Sequence, residues 1–568
     1  MSSATTAPEF VPASLDATKW ENVAPYYTDL TARTLNSAAD LERLILDRSM
    51  LDATTGEAEA NLYIEMTRHT DDPAVQKAYA DFVSTVEPSL RKAAFTLDQK
   101  IVQSPFTKSL DTKRYAVYLR NLAVDVELFR AENVAIQTEL SQLDQRYSQL
   151  NGAMTVPFRG EEHTMAQMGR YFEDPDRSLR EAAWRATQLR RAQNRDEVDA
   201  IYDEMLAKRH MIAKNAGFDN FRDYQHRRFK RFDYTSADCK LFQDAIEATL
   251  VPLQGKLHAE RAKTLGLVKL RPWDLAVDPQ GRPALRPFTD ASRLFDGCGD
   301  MYRRMDPELS HLYASLAEGD CLDLASRKGK APGGYQYQRQ RSGRPFIFMN
   351  AAGVHRDLVT MVHEAGHAFH SLLCANDPLV DYRNAPMEFA EVASMSQELL
   401  TLPFLSEFYT PEECQRAERD RLEKFPTLMP WIATIDAFQH WTHTNPGHTV
   451  AERRAAWRAL DQRFGGGCDW SGLEDTLESS WQRQLHLFGS PFYYIEYGIA
   501  ELGAMQMWMQ SRRNAASALA NYKKALALGG SRPLPELFET AGIRLDLSAN
   551  VMQELAHETE RALDALPV

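Results

Sequence analysis

Cysteine is scarce in this sequence, with six residues among 568 and no closely spaced CxxC pair. The wide spacing argues against a disulfide framework and against a thiolate metal site. Such cysteine usage is typical of proteins that work in a reducing compartment. We therefore expect a cytoplasmic protein.

Long apolar runs and an excess of basic charge are also missing. The first thirty residues contain neither the basic segment nor the apolar core of a secretory signal. No apolar stretch approaches the length needed to cross a bilayer. The net charge is −13, whereas nucleic-acid-binding proteins normally present a basic patch. The sequence therefore predicts neither a membrane nor a nucleic-acid partner, and it leaves the oligomeric state open.

Helical periodicity dominates what is present. Apolar residues recur every three or four positions in three long segments, Arg120–Leu150, Arg177–Ala216 and Ser236–Leu265. Residues 154–159 alternate around a proline and predict an edge strand or hairpin, and the apolar run 345–350 predicts a strand. Residues 266–292, rich in proline and glycine, predict a long connection. The expected fold is mainly α with one small sheet.

One of the predicted helices carries a metal-binding motif. The segment 357–374 has a helical apolar stripe, and within it His363 and His367 lie one turn apart on the same face. Both imidazoles can therefore reach one metal ion. Glu364 follows directly, where it can approach a metal-bound water without entering the coordination shell. A hydrolytic zinc site needs a third protein ligand and leaves its fourth position to water.

Three glutamates on the next predicted helix are candidates for that ligand. Glu388, Glu391 and Glu398 have the spacing i, i+3, i+10, which places them on one side of a helix. We favour Glu391 as the ligand. Glu398, two turns further on, is a candidate acceptor for the other ring nitrogen of a ligating histidine. For Glu388 we expect solvent exposure.

Several motifs together resemble the M3 family of zinc peptidases, in its oligoendopeptidase F-like branch. They are RKGKAPGGY (327–335), MVHEAGHAFH (361–370), EFAEVASMSQELL (388–400), FQHWTHTNPGHT (438–449) and HLFGSPFYYIEYGIA (486–500). The resemblance covers about the last two-thirds of the chain, so we divide the chain into an N-terminal helical region, 1–180, and a catalytic region, 181–568. It implies a two-lobed helical clam-shell around a deep channel that admits short unstructured peptides. It also implies one zinc ion per chain, held by His363, His367 and Glu391.

The resemblance further implies which groups act on the substrate. Glu364 would be the general base, and His486, Tyr494 and Tyr497 would stabilise the oxyanion of the tetrahedral intermediate. Without the resemblance, these aromatic residues are better interpreted as a packed core cluster. The expected activity is hydrolysis of internal bonds in short peptides.

Other interpretations stay open. The chain could be a dipeptidyl carboxypeptidase or another zinc exopeptidase, or a peptide-binding protein without catalysis. The retained Glu364 argues against the last of these, because binding needs no general base. For His440, His443 and His448 a structural role is expected, since their spacing fixes no three ligands on one face. The strand 346–349 could pair with a bound peptide or be an ordinary buried strand.

Overall fold

The structure is a computed structural model that describes residues 9–567. Residues 1–8 of the predicted N-terminal region and Val568 of the predicted catalytic region lie outside the described residues. The first α-helices in chain order are α1 Trp20–Ala32, α2 Ala38–Arg68, α3 Pro73–Asp81, α4 Glu87–Val102, α5 Thr112–Leu128, α6 Ala131–Gly152, α7 Met165–Met168, α8 Arg177–Ala192, α9 Arg195–Asn215, α10 Phe221–Arg228, α11 Ser236–Thr264 and α12 Ala291–Met305.

The remaining α-helices follow at α13 Pro307–Ser315, α14 His355–Cys374, α15 Met387–Leu400, α16 Pro411–Thr444, α17 Val450–Phe464, α18 Glu474–Ser479, α19 His486–Gly489, α20 Tyr494–Arg513, α21 Ala515–Leu526, α22 Leu534–Thr540 and α23 Ala549–Asp564. A π-helical turn covers Phe82–Val86, and 3₁₀ turns cover Pro105–Ser109, Gly169–Glu173, Pro272–Asp274, Val380–Arg383, Leu402–Glu407 and Ser480–Arg483. The strands are β1 Thr155–Phe158, β2 Glu161–Thr164, β3 Leu322–Ala325, β4 Tyr335–Arg339 and β5 Arg344–Ala351.

The predicted mainly α class is confirmed, with two small sheets instead of one. The chain forms two compact units. The first comprises residues 9–127, 285–417 and 500–545, and the second comprises residues 128–284, 418–499 and 546–567. The clam-shell with its deep channel and the boundary at residue 180 stay predictions. Within residues 9–567, no helix combines the length and the apolar character needed to span a bilayer.

The first sheet is the hairpin predicted near residue 155. Strands β1 and β2 pair antiparallel, with Thr155 opposite Thr164 and Phe158 opposite Glu161. The two turn residues, Arg159 and Gly160, have φ angles of 55° and 83°. Positive φ at both positions matches the right-handed twist of the paired strands, which makes such two-residue turns favourable in hairpins.

The second sheet contradicts one expectation about substrate binding. Its strand order is β3-β5-β4, with β5 parallel to β3 and antiparallel to β4. The predicted strand 345–350 is therefore central, and its residues 346–349 are at most 1% exposed. A strand with hydrogen-bonded neighbours on both sides cannot pair with a peptide, so the pairing hypothesis for 346–349 is wrong.

The long helix predicted from Arg120 to Leu150 is interrupted. Helix α5 ends at Leu128 and α6 begins at Ala131, while Arg130 has an extended backbone. The Arg130 guanidinium donates to the carbonyl of Asn215, and the Asn133 amide donates to the carbonyl of Ile212. The apolar periodicity of the sequence continues across this break, because periodicity contains no information about contacts with another helix such as α9.

A buried lysine organises the loop between β3 and β4. The Lys330 ammonium is fully buried and donates to Asp323 Oδ1 at 2.8 Å and to the carbonyl of Ala325 at 2.9 Å. It also bonds the carbonyl of Met349 on β5. Burial alone would raise the pKa of Asp323, but hydrogen bonds from Arg327 and Lys330 lower it to about 2. The motif RKGKAPGGY thus ties its loop to the sheet that precedes α14.

Helices α14 and α15 approach each other closely at a glycine. A Cβ atom added to Gly366 would lie 2.6 Å from the Cα of Ser394 and 2.7 Å from the carbonyl oxygen of Ala393. Both contacts are with backbone, which cannot move aside as a flexible side chain can. Only glycine at position 366 allows this separation between the two helices.

Replacing Gly366 with alanine should therefore destabilise the protein. Overpacking of this kind costs about 1–3 kcal/mol, so the melting temperature should fall. Gly56 in α2 is a matched control, because a Cβ there meets nothing within 4 Å. Gly56→Ala should hold or raise the melting temperature, since alanine favours a helix interior over glycine by about 1 kcal/mol. Equal melting temperatures for the two variants would contradict this account of the helix contact.

Candidate metal centre

Helix α14 presents two histidines one turn apart. The start of the helix is fixed by the Asp357 carboxylate, which accepts the backbone N–H groups of Ala352 at 2.7 Å and Val354 at 3.0 Å. From that start, the imidazole rings of His363 and His367 have centroids 5.0 Å apart and planes at 81°. Their Nε2 atoms both face the Glu391 carboxylate of α15.

The carboxylate of Glu391 lies between the two imidazoles. Its Oε2 is 3.5 Å from His363 Nε2 and 3.8 Å from His367 Nε2, and the three ligand atoms all lie within 4.8 Å of one another. Tetrahedral ligands about 2.0–2.1 Å from zinc are separated by about 3.4 Å. The spacing of these donors therefore fits a single metal ion after small side-chain movements.

Two neighbours on α15 hold the donors in place. Glu398 Oε1 is 2.8 Å from His363 Nδ1, which is the hydrogen bond expected from its position two turns beyond Glu391. A proton on Nδ1 leaves Nε2 of His363 as the metal-binding lone pair. Ser394 donates to Glu391 Oε2 at 3.1 Å. The sequence did not single out Ser394, although its i+3 spacing from Glu391 was a usable signal.

The pKa shifts of the candidate metal ligands reflect several carboxylates that lie close together in the protein interior. Burial opposes a charged His363, but the hydrogen bond from its ring to Glu398 and the nearby carboxylates raise its pKa to about 9. Burial raises the pKa of Glu391, and burial together with the charge of His363 lowers the pKa of His367 well below its usual value. Without a metal, a proton on His363 balances the carboxylates.

A divalent cation can take the place of that proton. The donor set of two imidazoles and one carboxylate is the His₂Glu set that zinc uses in hydrolytic sites. The side chains of His363 and His367 remain 24% and 20% exposed, so solvent reaches the donors and a fourth position can be filled by water. The residues present therefore fit a zinc ion.

Glu364 lies beside the three candidate metal ligands but is not one of them. It is 7% exposed, and its carboxylate accepts the backbone N–H of Gln336 on β4. Burial raises the pKa of Glu364 to about 7. A carboxyl group that titrates near neutrality can both accept and return a proton under physiological conditions. Nothing in the sequence pattern indicated the contact with Gln336, because β4 is distant in sequence from α14.

The other three predicted site residues form a cluster in the second unit. The ring of His486 lies 5.0 Å from that of Tyr494 and 5.9 Å from that of Tyr497, and the two tyrosine rings are 5.6 Å apart. The Gln484 amide nitrogen is 2.7 Å from His486 Nδ1. Because an amide NH₂ group only donates, Nδ1 accepts and the neutral ring carries its proton on Nε2. Burial lowers the pKa of His486, which favours this neutral form.

The structure corrects the expectation about the burial of Glu388. Glu388 was expected in solvent, and this is wrong because its residue is only 6% exposed. Helix α15 is covered on most sides, and periodicity alone cannot identify a helix that has almost no solvent face. His370 is 5% exposed and packs against the ring of Phe389, as a core histidine does.

Comparisons with known proteins agree with the motifs. Residues 170–557 match the model of peptidase family M3, and residues 10–129 match a peptidase M3 N-terminal domain. An oligoendopeptidase F homolog of Borreliella burgdorferi is 22% identical over 434 residues, which cover 73% of this chain and 69% of the relative. The chromosomal oligoendopeptidase F of Lactococcus lactis subsp. cremoris is 30% identical over 258 residues, which cover 43% and 41%.

Solved structures share the fold over nearly the whole chain. The structure titled "PZ PEPTIDASE A with inhibitor 2" superimposes with a TM-score of 0.88 at 28% identity, covering 98% of this chain and 99% of that one. The crystal structure of oligoendopeptidase-F from Enterococcus faecium has a TM-score of 0.65 at 17% identity and covers 96% and 97%. At 17% identity, the similarity to the Enterococcus faecium structure shows a shared fold and nothing about function.

Removing the negative charge of Glu398 should weaken metal binding. In Glu398→Gln the His363 ring loses its charged acceptor, and losses of such partners typically cost about 10–100-fold in metal affinity. Zinc affinity is measured by competition with a chromophoric chelator. Glu412→Gln, at an exposed position of α16, is the matched control and should retain the original affinity. Equal affinities in the two variants would exclude this role for Glu398.

Proposed function

Because the chain belongs to peptidase family M3 and is a metalloendopeptidase, we propose that it uses zinc to hydrolyse internal bonds of short unstructured peptides. The observation that carries the proposal is the convergence of His363, His367 and Glu391 beside the buried Glu364. Relatives named oligoendopeptidase F support internal cleavage of short substrates. All six cysteines are free thiols, which supports a cytoplasmic location.

His363, His367 and Glu391 would hold one zinc ion per chain. When bound, zinc supplies a Lewis acid that polarises a carbonyl and lowers the pKa of water. The chain's own residues orient the zinc ligands. The hydrogen bonds from His363 to Glu398 and from Ser394 to Glu391 fix the directions of two of the three donor groups.

Glu364 is the proposed general base. Its carboxylate takes a proton from the attacking water, and it then passes that proton to the nitrogen of the departing amine. In the metal-free protein, burial raises the pKa of this carboxyl group to about 7, which makes it a stronger base than an exposed glutamate. The N–H group of Gln336 holds one side of the carboxylate and limits its movement between the two steps.

His486, Tyr494 and Tyr497 are the proposed hydrogen-bond donors to the carbonyl oxygen of the scissile bond. Charge develops on that oxygen during attack, and fixed donors stabilise it without reorganising. The Nε2 proton that Gln484 enforces on His486 supports this assignment. Burial also raises the pKa of Tyr494, so its hydroxyl remains a donor at neutral pH.

Cleavage of an end-blocked decapeptide tests the proposed activity. The purified protein should cut an acetylated and amidated quenched peptide internally, lose this activity with a chelator and regain it with added zinc. Glu364→Gln should lower kcat by about 10²–10⁴-fold while zinc content stays the same, because only proton transfer is removed. The exposed Glu412→Gln variant serves again as the matched control.

Two results would contradict the proposal in different ways. Cleavage of free peptides but not of blocked ones would indicate an exopeptidase, such as a dipeptidyl carboxypeptidase. No cleavage of either substrate by protein that contains zinc would favour a peptide-binding protein without catalysis.

The tyrosine assignment has a test of its own. Tyr497→Phe removes one hydroxyl and should lower kcat by about 10²–10³-fold with zinc content unchanged, as loss of an oxyanion donor does. Tyr493→Phe is the matched control, since the ring of Tyr493 lies 5.2 Å from that of Tyr497 but the mechanism assigns it no role. Unchanged turnover in Tyr497→Phe would remove Tyr497 from the mechanism.

A further inference from the structure

A second cluster of metal-ligating side chains lies in the second compact unit. It joins His226 of α10, Cys239 of α11 and His440 of α16, and one ligand atom from each lies within 4.8 Å of the others. Asp436 precedes His440 by one helical turn, and its Oδ2 is 3.5 Å from His440 Nε2. Three side chains of the types that bind transition metals therefore converge, and a carboxylate lies beside one of them.

The cluster is buried and incompletely hydrogen-bonded. Cys239 and Asp436 are 0% exposed and His226 is 8% exposed, while the side chain of His440 is 13% exposed. Within the part of the chain that the structure describes, Nε2 of His226 and Oδ1 of Asp436 have no hydrogen-bond partner, and Nε2 of His440 lies 3.5 Å from Asp436 Oδ2. Buried polar atoms without partners are costly, so these two atoms favour the presence of a further ligand.

We propose that His226, Cys239 and His440 bind a second transition-metal ion, with Asp436 at the fourth position. The chemistry of the donors selects the metal. A thiolate with two imidazoles favours zinc or similar ions over calcium and magnesium, which prefer oxygen ligands. The first centre, with two imidazoles and a carboxylate, contains no sulfur.

The distances require modest adjustment. Ligands of a tetrahedral zinc ion with one sulfur are separated by about 3.3–3.6 Å, given bond lengths of about 2.0–2.1 Å to nitrogen and 2.3 Å to sulfur. The three ligand atoms are at most 4.8 Å apart in the structure. Side-chain movements of about 1 Å would bring them to the separations of a zinc site. The helical spacing of Asp436 and His440, one turn apart, repeats the i, i+4 arrangement of His363 and His367.

The charges of the surroundings permit a cation here. The nearby positive groups are the guanidinium groups of Arg231 and Arg222, which are paired with Glu496 at 2.9 Å and with Asp223 at 2.8 Å. The Asp436 carboxylate is held by the Gln243 amide at 2.7 Å.

Binding would convert Cys239 from thiol to thiolate. The S–H bond breaks, a bond from sulfur to metal forms, and the proton leaves to solvent. A divalent ion with one thiolate and one carboxylate gives a neutral buried group, which avoids the cost of an isolated buried charge. The ion would join α10, α11 and α16 and so stabilise the folded second unit.

Cobalt is the probe that separates the two centres. Metal-free protein kept in a reductant that does not bind metal is titrated with Co²⁺, and the near-ultraviolet charge-transfer band from thiolate to cobalt is followed. We expect the wild-type protein to show this band, saturating at one equivalent of thiolate-bound metal. Cys239→Ser should lose the band, and Cys468→Ser, the matched control in the same unit, should keep it.

The wild-type measurement and a double variant complete the test. His363→Ala combined with His367→Ala removes the first centre, and this protein should still show the band and retain one metal equivalent by elemental analysis. Absence of the band in the wild-type protein, or its persistence in Cys239→Ser, would overturn the proposal. Because peptide cleavage depends on the first centre, failure of this test would leave the proposed function unaffected.

Discussion

The close contact between α14 and α15 is the constraint on which the candidate site depends. The three candidate metal ligands and the residues that hold them, Glu398 and Ser394, come from these two helices, so the separation of the helices sets the distance between the two histidines and Glu391. That separation is set by Gly366, whose missing side chain admits the backbone of Ser394. A helix pair held by backbone contact is less adaptable than one held by long side chains, and this rigidity suits a metal site.

Buried charge is the second determinant of the site. Glu364, Glu391 and Glu398 lie close together in a protein interior, where like charges repel strongly. Burial raises the pKa of Glu364 and the neighbouring carboxylates add to that effect, while the hydrogen bond to Glu398 and the same carboxylates raise the pKa of His363. A bound cation relieves the same repulsion. The general base and the metal ligands are therefore adjusted by one shared electrostatic environment.

Local sequence periodicity predicted much of this arrangement. The i, i+4 spacing of the histidines and the helical spacing of Glu391 and Glu398 are properties of single helices, so they could be predicted before any tertiary contact was known. The burial of Glu388, the interruption at Arg130 and the central position of β5 depend on neighbours far away in the chain. Periodicity describes one face of one element, and it contains no information about what covers the other faces.

The same limit explains why the cluster at His440 could not be predicted. The three histidines of FQHWTHTNPGH gave no common face, and Cys239 had no second cysteine nearby, so each was dismissed on spacing alone. His440 lies more than 200 residues from His226 and Cys239 in sequence, and the fold brings the three together. The cluster also differs from the first centre in lacking an assigned base such as Glu364 and in the full burial of Cys239 and Asp436. A largely buried set of ligands without a general base suits an ion that stabilises helices, whereas the partly exposed histidines of the first centre suit an ion that meets substrate.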